Sequence, residues 1–135
     1  MSEYNLIIDD TPIAQPRARV TRFATYDPAH DKKTWIKFQM REQFIKEKLL
    51  CPIELDIIFY MPIPKSTSKK KKALMLSGEI KHVKRADIDN LYKLVTDTMT
   101  GIIYHDDSQI YKAYIEKVYS DKPRTQITIK WCDDD

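Results

Sequence analysis

Alternation of apolar and polar residues marks out strands in this chain, and a three-to-four-residue apolar rhythm marks out helices. Residues 53–61 (IELDIIFYM) alternate and are rich in Ile, Phe and Tyr, which predicts a strand. Residues 3–8 (EYNLII) predict a first strand. "SQIYKAYIEKVYS" and "RTQITIKW" alternate again near the end, and "SDKPR" between them predicts an antiparallel pair joined by a turn. The helical rhythm occurs twice. Over 34–50, Ile36, Met40, Phe44, Ile45 and Leu49 form one stripe, with Thr34 as the expected N-cap and Pro52 as the stop. Over 90–99, Leu91, Leu94, Val95 and Met99 share a face.

The connections are polar. The segment from Asp9 to Lys33 contains Pro12, Pro16 and Pro28 and reads as a loop, with one short strand expected over 19–24. A turn and a basic tract follow residue 61, with one helical turn expected over 73–76. The order strand, helix, strand, helix, strand, strand predicts a single α/β domain over residues 1–135. Its mixed β-sheet would be packed by two main helices. Residues 131–135 are expected to form a disordered tail.

Composition narrows the class. With 135 residues and a charged share of 32%, above the usual ~25%, the chain reads as one globular domain with a heavily charged surface. Two glycines are too few for a Gly-rich phosphate cradle. Cys51 and Cys132 are isolated, and His30, His82 and His105 are scattered, so no zinc-type spacing exists and two buried or inert thiols are expected. The amino terminus, MSEYNLIIDD, is acidic and does not resemble a signal peptide. No apolar run is long enough to span a bilayer. A cytoplasmic protein with no membrane partner fits.

Charge is unevenly distributed, although the net value is only +3. Lys65, Lys69, Lys70, Lys71, Lys72, Lys81, Lys84 and Arg85 face the single acid Glu79 across 61–85, and Arg17, Arg19 and Arg22 precede them. Acids gather after residue 86. A basic surface beside an acidic cluster suits a polyanion drawn toward bound metal; a lysine run that is merely solvated is the plainer alternative.

The acids fall in "RADIDNLYKLVTDTMTGIIYHDDSQI", residues 85–110. In an extended Asp87-Ile88-Asp89, Ile88 would enter the core while both carboxylates emerge together. One of the two could instead cap the helix that follows. Asp89, Lys93 and Asp97 stand at i, i+4 and i+8, which could be a surface ion-pair ladder. Gly101 ends the helix, and the short return could bring Asp106 or Asp107 near Asp87 and Asp89. Converging carboxylates repel unless a cation joins them, and Lys93 alone is too little. Oxygen-only ligands suit Mg²⁺, with Mn²⁺ as a substitute. Carboxylate-held Mg²⁺ beside a basic surface points to phosphoryl chemistry on nucleic acid.

The same run closely resembles the signature of the RusA family of Holliday junction resolvases, common in phages and prophages. The pattern D-x-D-N-L-x-K-x-x-x-D, a Gly, then D-D-[SA]-Q-[IV] is matched at Asp87, Asp89, Asn90, Leu91, Lys93, Asp97, Gly101, Asp106, Asp107, Ser108, Gln109 and Ile110. "QPRAR" and "YDP" are similar to the family's amino-terminal segment. The resemblance implies a RusA-like fold and a homodimeric, Mg²⁺-dependent endodeoxyribonuclease that nicks four-way junction DNA symmetrically, in recombination and repair. It implies Asp87, Asp89 and Asp107 as metal ligands and catalytic residues, with Asp106 a further candidate ligand and Lys93 the functional lysine. Ala86 departs from the proline many members carry there. Arg17, Arg19, Lys69, Lys70, Lys71, Lys72, Lys84 and Arg85 are the expected DNA contacts, and Tyr111, Tyr114 and Tyr119 are candidates for the dimer interface. Two other classes remain open: a branched-DNA-binding recombination accessory that does not cut, and a metal-dependent nuclease acting on other branched nucleic acids.

Overall fold

The computed structural model describes residues 1–16, 19–20, 25–26 and 28–132, with 19–20 and 25–26 described by backbone alone. In chain order the elements are β1 (Ser2–Ile8), β2 (Arg19–Val20), β3 (Thr25–Tyr26), α1 (His30–Gln43), β4 (Ile53–Pro62), α2 (Lys69–Leu76), α3 (Ile88–Met99), a 3₁₀ turn (Asp107–Gln109), β5 (Ile110–Ser120) and β6 (Arg124–Trp131).

Period-two alternation builds the sheet. In β4, Ile53, Leu55, Ile57, Phe59 and Met61 are buried, while the residues between them are half-exposed. β6 repeats the pattern with Thr125, Ile127, Ile129 and Trp131, and β1 contributes Leu6 and Ile8. The register stacks these side chains in rows: Leu6 opposes Ile127, which opposes Ile57. The strand order is β1-β6-β4-β5, antiparallel except for the parallel β4–β5 pair. The mixed α/β architecture is therefore as expected.

Two helices close the core with the predicted stripes: Ile36 and Met40 of α1, followed by Phe44, and Leu91, Leu94, Val95 and Met99 of α3, are all buried. Each such side chain contributes roughly 1.5–3 kcal/mol by leaving water. Between the strand positions on the opposite face, Lys130 pairs with Asp56 at 2.8 Å and Glu54 at 3.8 Å. Among the described residues no helix is long and apolar enough to cross a membrane.

Several local expectations are corrected. β5 and β6 are not a hydrogen-bonded hairpin, because β4 lies between them. Both flanking strands alternate, so either could pair with β4, and β4 bonds to both. α1 begins at His30 and ends at Gln43, not over 34–50. Thr34 is not its cap but lies inside it, donating its hydroxyl to the His30 carbonyl at 3.0 Å. Beyond Phe44 the stripe breaks: Ile45 is 84% exposed, and Leu49 packs against the core from outside the helix. Leu49 donates its N–H to the Ile103 carbonyl at 2.7 Å. The lysine tract forms a two-turn helix, α2, because Ser68 caps it by accepting from the Lys71 N–H at 3.3 Å. Of the strand expected over 19–24, Arg19–Val20 pairs antiparallel with Thr25–Tyr26, and 21–24 lie outside the described residues. Trp131, expected to open the tail, is the buried last residue of β6, whereas 133–135 lie outside the described residues. Cys51 is half-buried and Cys132 exposed; neither is bonded to the other.

The outer edge of β1 is covered by α1. Gln43 behaves there as a strand residue would: its Oε1 accepts from the Ile7 N–H at 2.8 Å and its Nε2 donates to the Ile7 carbonyl at 2.7 Å. Gln39 Oε1 accepts from the Asp9 N–H at 2.9 Å. Replacing Gln43 by Leu keeps the bulk but removes both bonds, so urea unfolding should show a loss of about 1–2 kcal/mol.

Candidate active site

The entry to α3 separates cap from carboxylate. Asp87 takes the N-cap position with extended backbone, and its carbonyl receives the Leu91 N–H at 3.0 Å, yet its side chain accepts no capping bond. The expectation of an extended Asp-Ile-Asp is overturned. Ile88 is already helical and 38% exposed, so it is not a core residue. The helix starts earlier because Asp87 ends the extended segment. On a helix, neighbours two apart diverge by about 200°, so Asp87 and Asp89 share no face by strand alternation. Asp87, Asp89, Lys93 and Asp97 are all exposed. Among the described residues, Asp89, Lys93 and Asp97 form no ion pair with one another, so the ladder is not made. The Lys93 ammonium is left unengaged by them.

The return from α3 is held by hydrogen bonds. Gly101 adopts φ +87°, a conformation that favours glycine, and donates its N–H to the Tyr104 carbonyl at 2.7 Å. Tyr104 is fully buried and its hydroxyl donates to the Thr96 carbonyl at 2.6 Å. Asp106 then caps the 3₁₀ turn, accepting from the Ser108 N–H at 3.1 Å. Hydrogen bonds from Ser108 hold its pKa below the ordinary carboxylate value. Asp106 is thus engaged in the turn, whereas the neighbouring Asp107 side chain is exposed. Burial first, then the Asp107 charge, raises the pKa of Tyr92 on α3. Tyr104 is raised chiefly by burial, with Tyr92, Asp107 and Asp97 adding to it. Asp107 therefore lies within electrostatic reach of the helix that carries Asp89 and Lys93.

No three His, Cys, Asp or Glu side chains among the described residues stand together as a group able to hold a metal. The predicted convergence of Asp87 and Asp89 with Asp106 or Asp107 is therefore not found among the described residues. The donor chemistry, oxygen only and solvent-facing, still suits a hard divalent cation.

Three residues to which the sequence assigned no role position this site. Gln109 uses its whole amide: Oε1 accepts from the His105 and Asp106 N–H groups, both at 2.9 Å, and Nε2 donates to the carbonyls of Leu49 at 2.9 Å and Cys51 at 3.0 Å. Lys117 Nζ donates to the carbonyls of Lys84 at 3.0 Å and Ala86 at 2.9 Å, fixing the segment that enters Asp87. Gln15 donates its N–H to the Asn90 carbonyl at 3.0 Å, bringing the "QPRAR" segment to the first turn of α3. Gln109 carried a signal in its place in the motif, and Gln15 a weaker one in "QPRAR"; Lys117 carried none.

The predicted DNA contacts are dispersed around this centre. Lys69, Lys70, Lys71 and Lys72 are exposed on α2, and Lys84 and Arg85 are exposed just before Asp87. Arg17 lies outside the described residues, and Arg19 is described by its backbone in β2. Tyr111 and Tyr114 are 62% and 57% exposed, whereas Tyr119 is buried.

Replacing Gln109 by Ala leaves the Leu49 and Cys51 carbonyls and two turn N–H groups without their partner. Denaturant titration should show a loss of about 2–4 kcal/mol, and Gln109→Glu, which cannot donate, should not restore it.

Comparison with known proteins bears on the same residues. The family model described as Endodeoxyribonuclease RusA matches residues 9–130, which include the acids, Lys93 and Gln109. The chain is 32% identical over 127 residues to uncharacterized protein YqaN of Bacillus subtilis (strain 168), covering 88% of this chain and 89% of that relative. It is 26% identical over 134 residues to crossover junction endodeoxyribonuclease rusA of Lactococcus phage r1t, covering 94% and 95%. With a match that spans α1 through β5, most of β6 and every carboxylate of the candidate site, this chain belongs to the RusA endodeoxyribonuclease family.

Proposed function

We propose that this protein is a Mg²⁺-dependent endodeoxyribonuclease that resolves Holliday junctions by paired symmetric nicks, acting as a homodimer on four-way junction DNA. Family membership and the name of the phage relative support the reaction class. The observation that carries the site is Asp87: it occupies a helix N-cap, yet its carboxylate makes no capping bond. An aspartate in that position ordinarily turns inward to the helix N–H groups. Here its carboxylate stays available, together with Asp89, Asp107 and the ammonium of Lys93.

Asp87, Asp89 and Asp107 would hold Mg²⁺, or Mn²⁺ in its place, with Asp106 retained as the cap of the turn that presents Asp107. When bound, the metal supplies the Lewis acidity that phosphodiester hydrolysis requires. Lys93 offsets charge that builds on the phosphate. The exposed lysines of α2, with Lys84 and Arg85, draw in the junction arms.

Asp107→Asn should abolish cleavage of a labelled synthetic junction in Mg²⁺ while gel-shift affinity is retained or improved, and Asp87→Asn and Asp89→Asn should behave alike. Turnover at the wild-type rate by Asp107→Asn sinks the assignment. Changing Lys69, Lys70, Lys71 and Lys72 to Ala should reduce the salt slope of duplex-arm binding by about 0.9 for each phosphate that is no longer neutralised. An unchanged slope would make the tract an idle solvated helix.

The dimer follows from symmetry. One chain carries one set of these acids, a four-way junction requires two opposed nicks, and a two-fold pair supplies both. Tyr111 and Tyr114 are suited to the contact by their exposure. Light scattering at micromolar concentration should return twice the chain mass; a monomer that makes both nicks in one binding event refutes it.

A further inference from the structure

A cleft of about 290 Å³ lies directly beside the entry to Asp87. One wall is the segment Lys84, Arg85 and Ala86, fixed by the two Lys117 bonds. The other is the end of β4 and the turn after it, Met61, Pro62 and Pro64. His82 and Tyr119 also line it, their rings 4.8 Å apart and tilted by 58°. His82 is only 8% exposed, and its Nδ1 is buried with no hydrogen-bond partner among the described residues. Leaving a ring nitrogen closed off and unbonded is costly, and a polar edge entering the cleft that His82 lines would offer it a partner.

Proline, methionine and tyrosine walls suit a flat apolar ring. One imidazole nitrogen suits a hydrogen-bonding edge, and the cations at the rim suit a phosphate attached to that ring. Enzymes that take a base out of its stack receive it in such pockets. A phosphate alone would prefer a charged floor. Burial, then the Lys117 charge, lowers the His82 pKa and favours the neutral imidazole.

We propose that this cleft receives one nucleobase drawn out of the stack at the junction, beside the phosphate to be cut, and that His82 reads its hydrogen-bonding edge. The proposal rests on the junction-cutting function above and adds to it a residue that sets base preference.

The occupancy test uses synthetic four-way junctions carrying 2-aminopurine at single positions around the crossover, bound by the full chain in EDTA. Fluorescence should rise on binding at one position, and the rise should be lost with His82→Trp, which fills the cleft, in protein shown to be folded by thermal unfolding. The reading test maps cut positions on junctions of permuted crossover sequence in Mg²⁺. His82→Phe keeps a ring but no nitrogen, and it should flatten base preference by about tenfold. A rise at no position, or one that persists in His82→Trp, overturns the proposal. Should His82→Trp fail to fold, an unchanged preference in His82→Phe overturns it. Wild-type protein that cuts no junction would count against the nuclease function instead, while the fluorescence arm still decides the cleft.

Discussion

The parallel pairing of β4 with β5 is the constraint from which the rest of the molecule follows. Parallel neighbours cannot be joined by a tight turn, because the chain must travel back along the whole strand before it can start the next. Residues 63–109 make that journey, and they contain the lysine helix, the helix that carries Asp89 and Lys93, and the turn that presents Asp107. The site is thus a property of a crossover, held at both ends of β5. Gln109 anchors the start of the strand to Leu49 and Cys51, and Lys117 anchors the entry of α3 to its far half. Both anchors are side chains that bond to backbone carbonyls, so they fix the path of the chain while leaving the carboxylates free.

How much of this could be read in the sequence depended on the range of the interaction. The buried rows of β4 and β6 and the apolar faces of α1 and α3 were legible, because burial imposes a local period on side chains. Strand order was not. β5 and β6 are joined by a three-residue turn, which favours a hairpin, but β4 accepts both as neighbours and takes the place between them. Nothing in an alternating pattern states which edge a strand will bond to. The ends of α1 were missed for the same reason. Its length follows from where α3 and the return loop offer apolar surface, and that is decided far along the chain.

The candidate site divides in a similar way. Residue types and spacing singled out Asp87, Asp89, Lys93 and one of Asp106 or Asp107, and the family match covers these positions, but the structure does not bring three of the acids together among the described residues. Their local geometry was less accessible. Ile88 looks like an inward residue of an extended segment until Asp87 is placed as an N-cap, which turns Ile88 outward. Asp106 and Asp107 are identical in type and adjacent, and only the bond from the Ser108 N–H separates a capping residue from one facing outward. Gln109 reaches partners 58 and 60 residues away, and Lys117 partners 31 and 33 residues away. No short pattern encodes such distances, so polar residues that bond to distant backbone read as ordinary surface.

The glutamine that lies along β1 also bears on edge pairing between chains. A sheet has two borders, and strand-by-strand addition through both has no natural end: each newcomer offers another border, and fibres result. Gln43 occupies the hydrogen-bonding groups of Ile7 and so blocks that border at this residue from within the same chain. A strand from another chain could pair there only by displacing the glutamine from both groups. The glutamine thus guards against open-ended strand pairing at this border as well as holding α1 to the sheet.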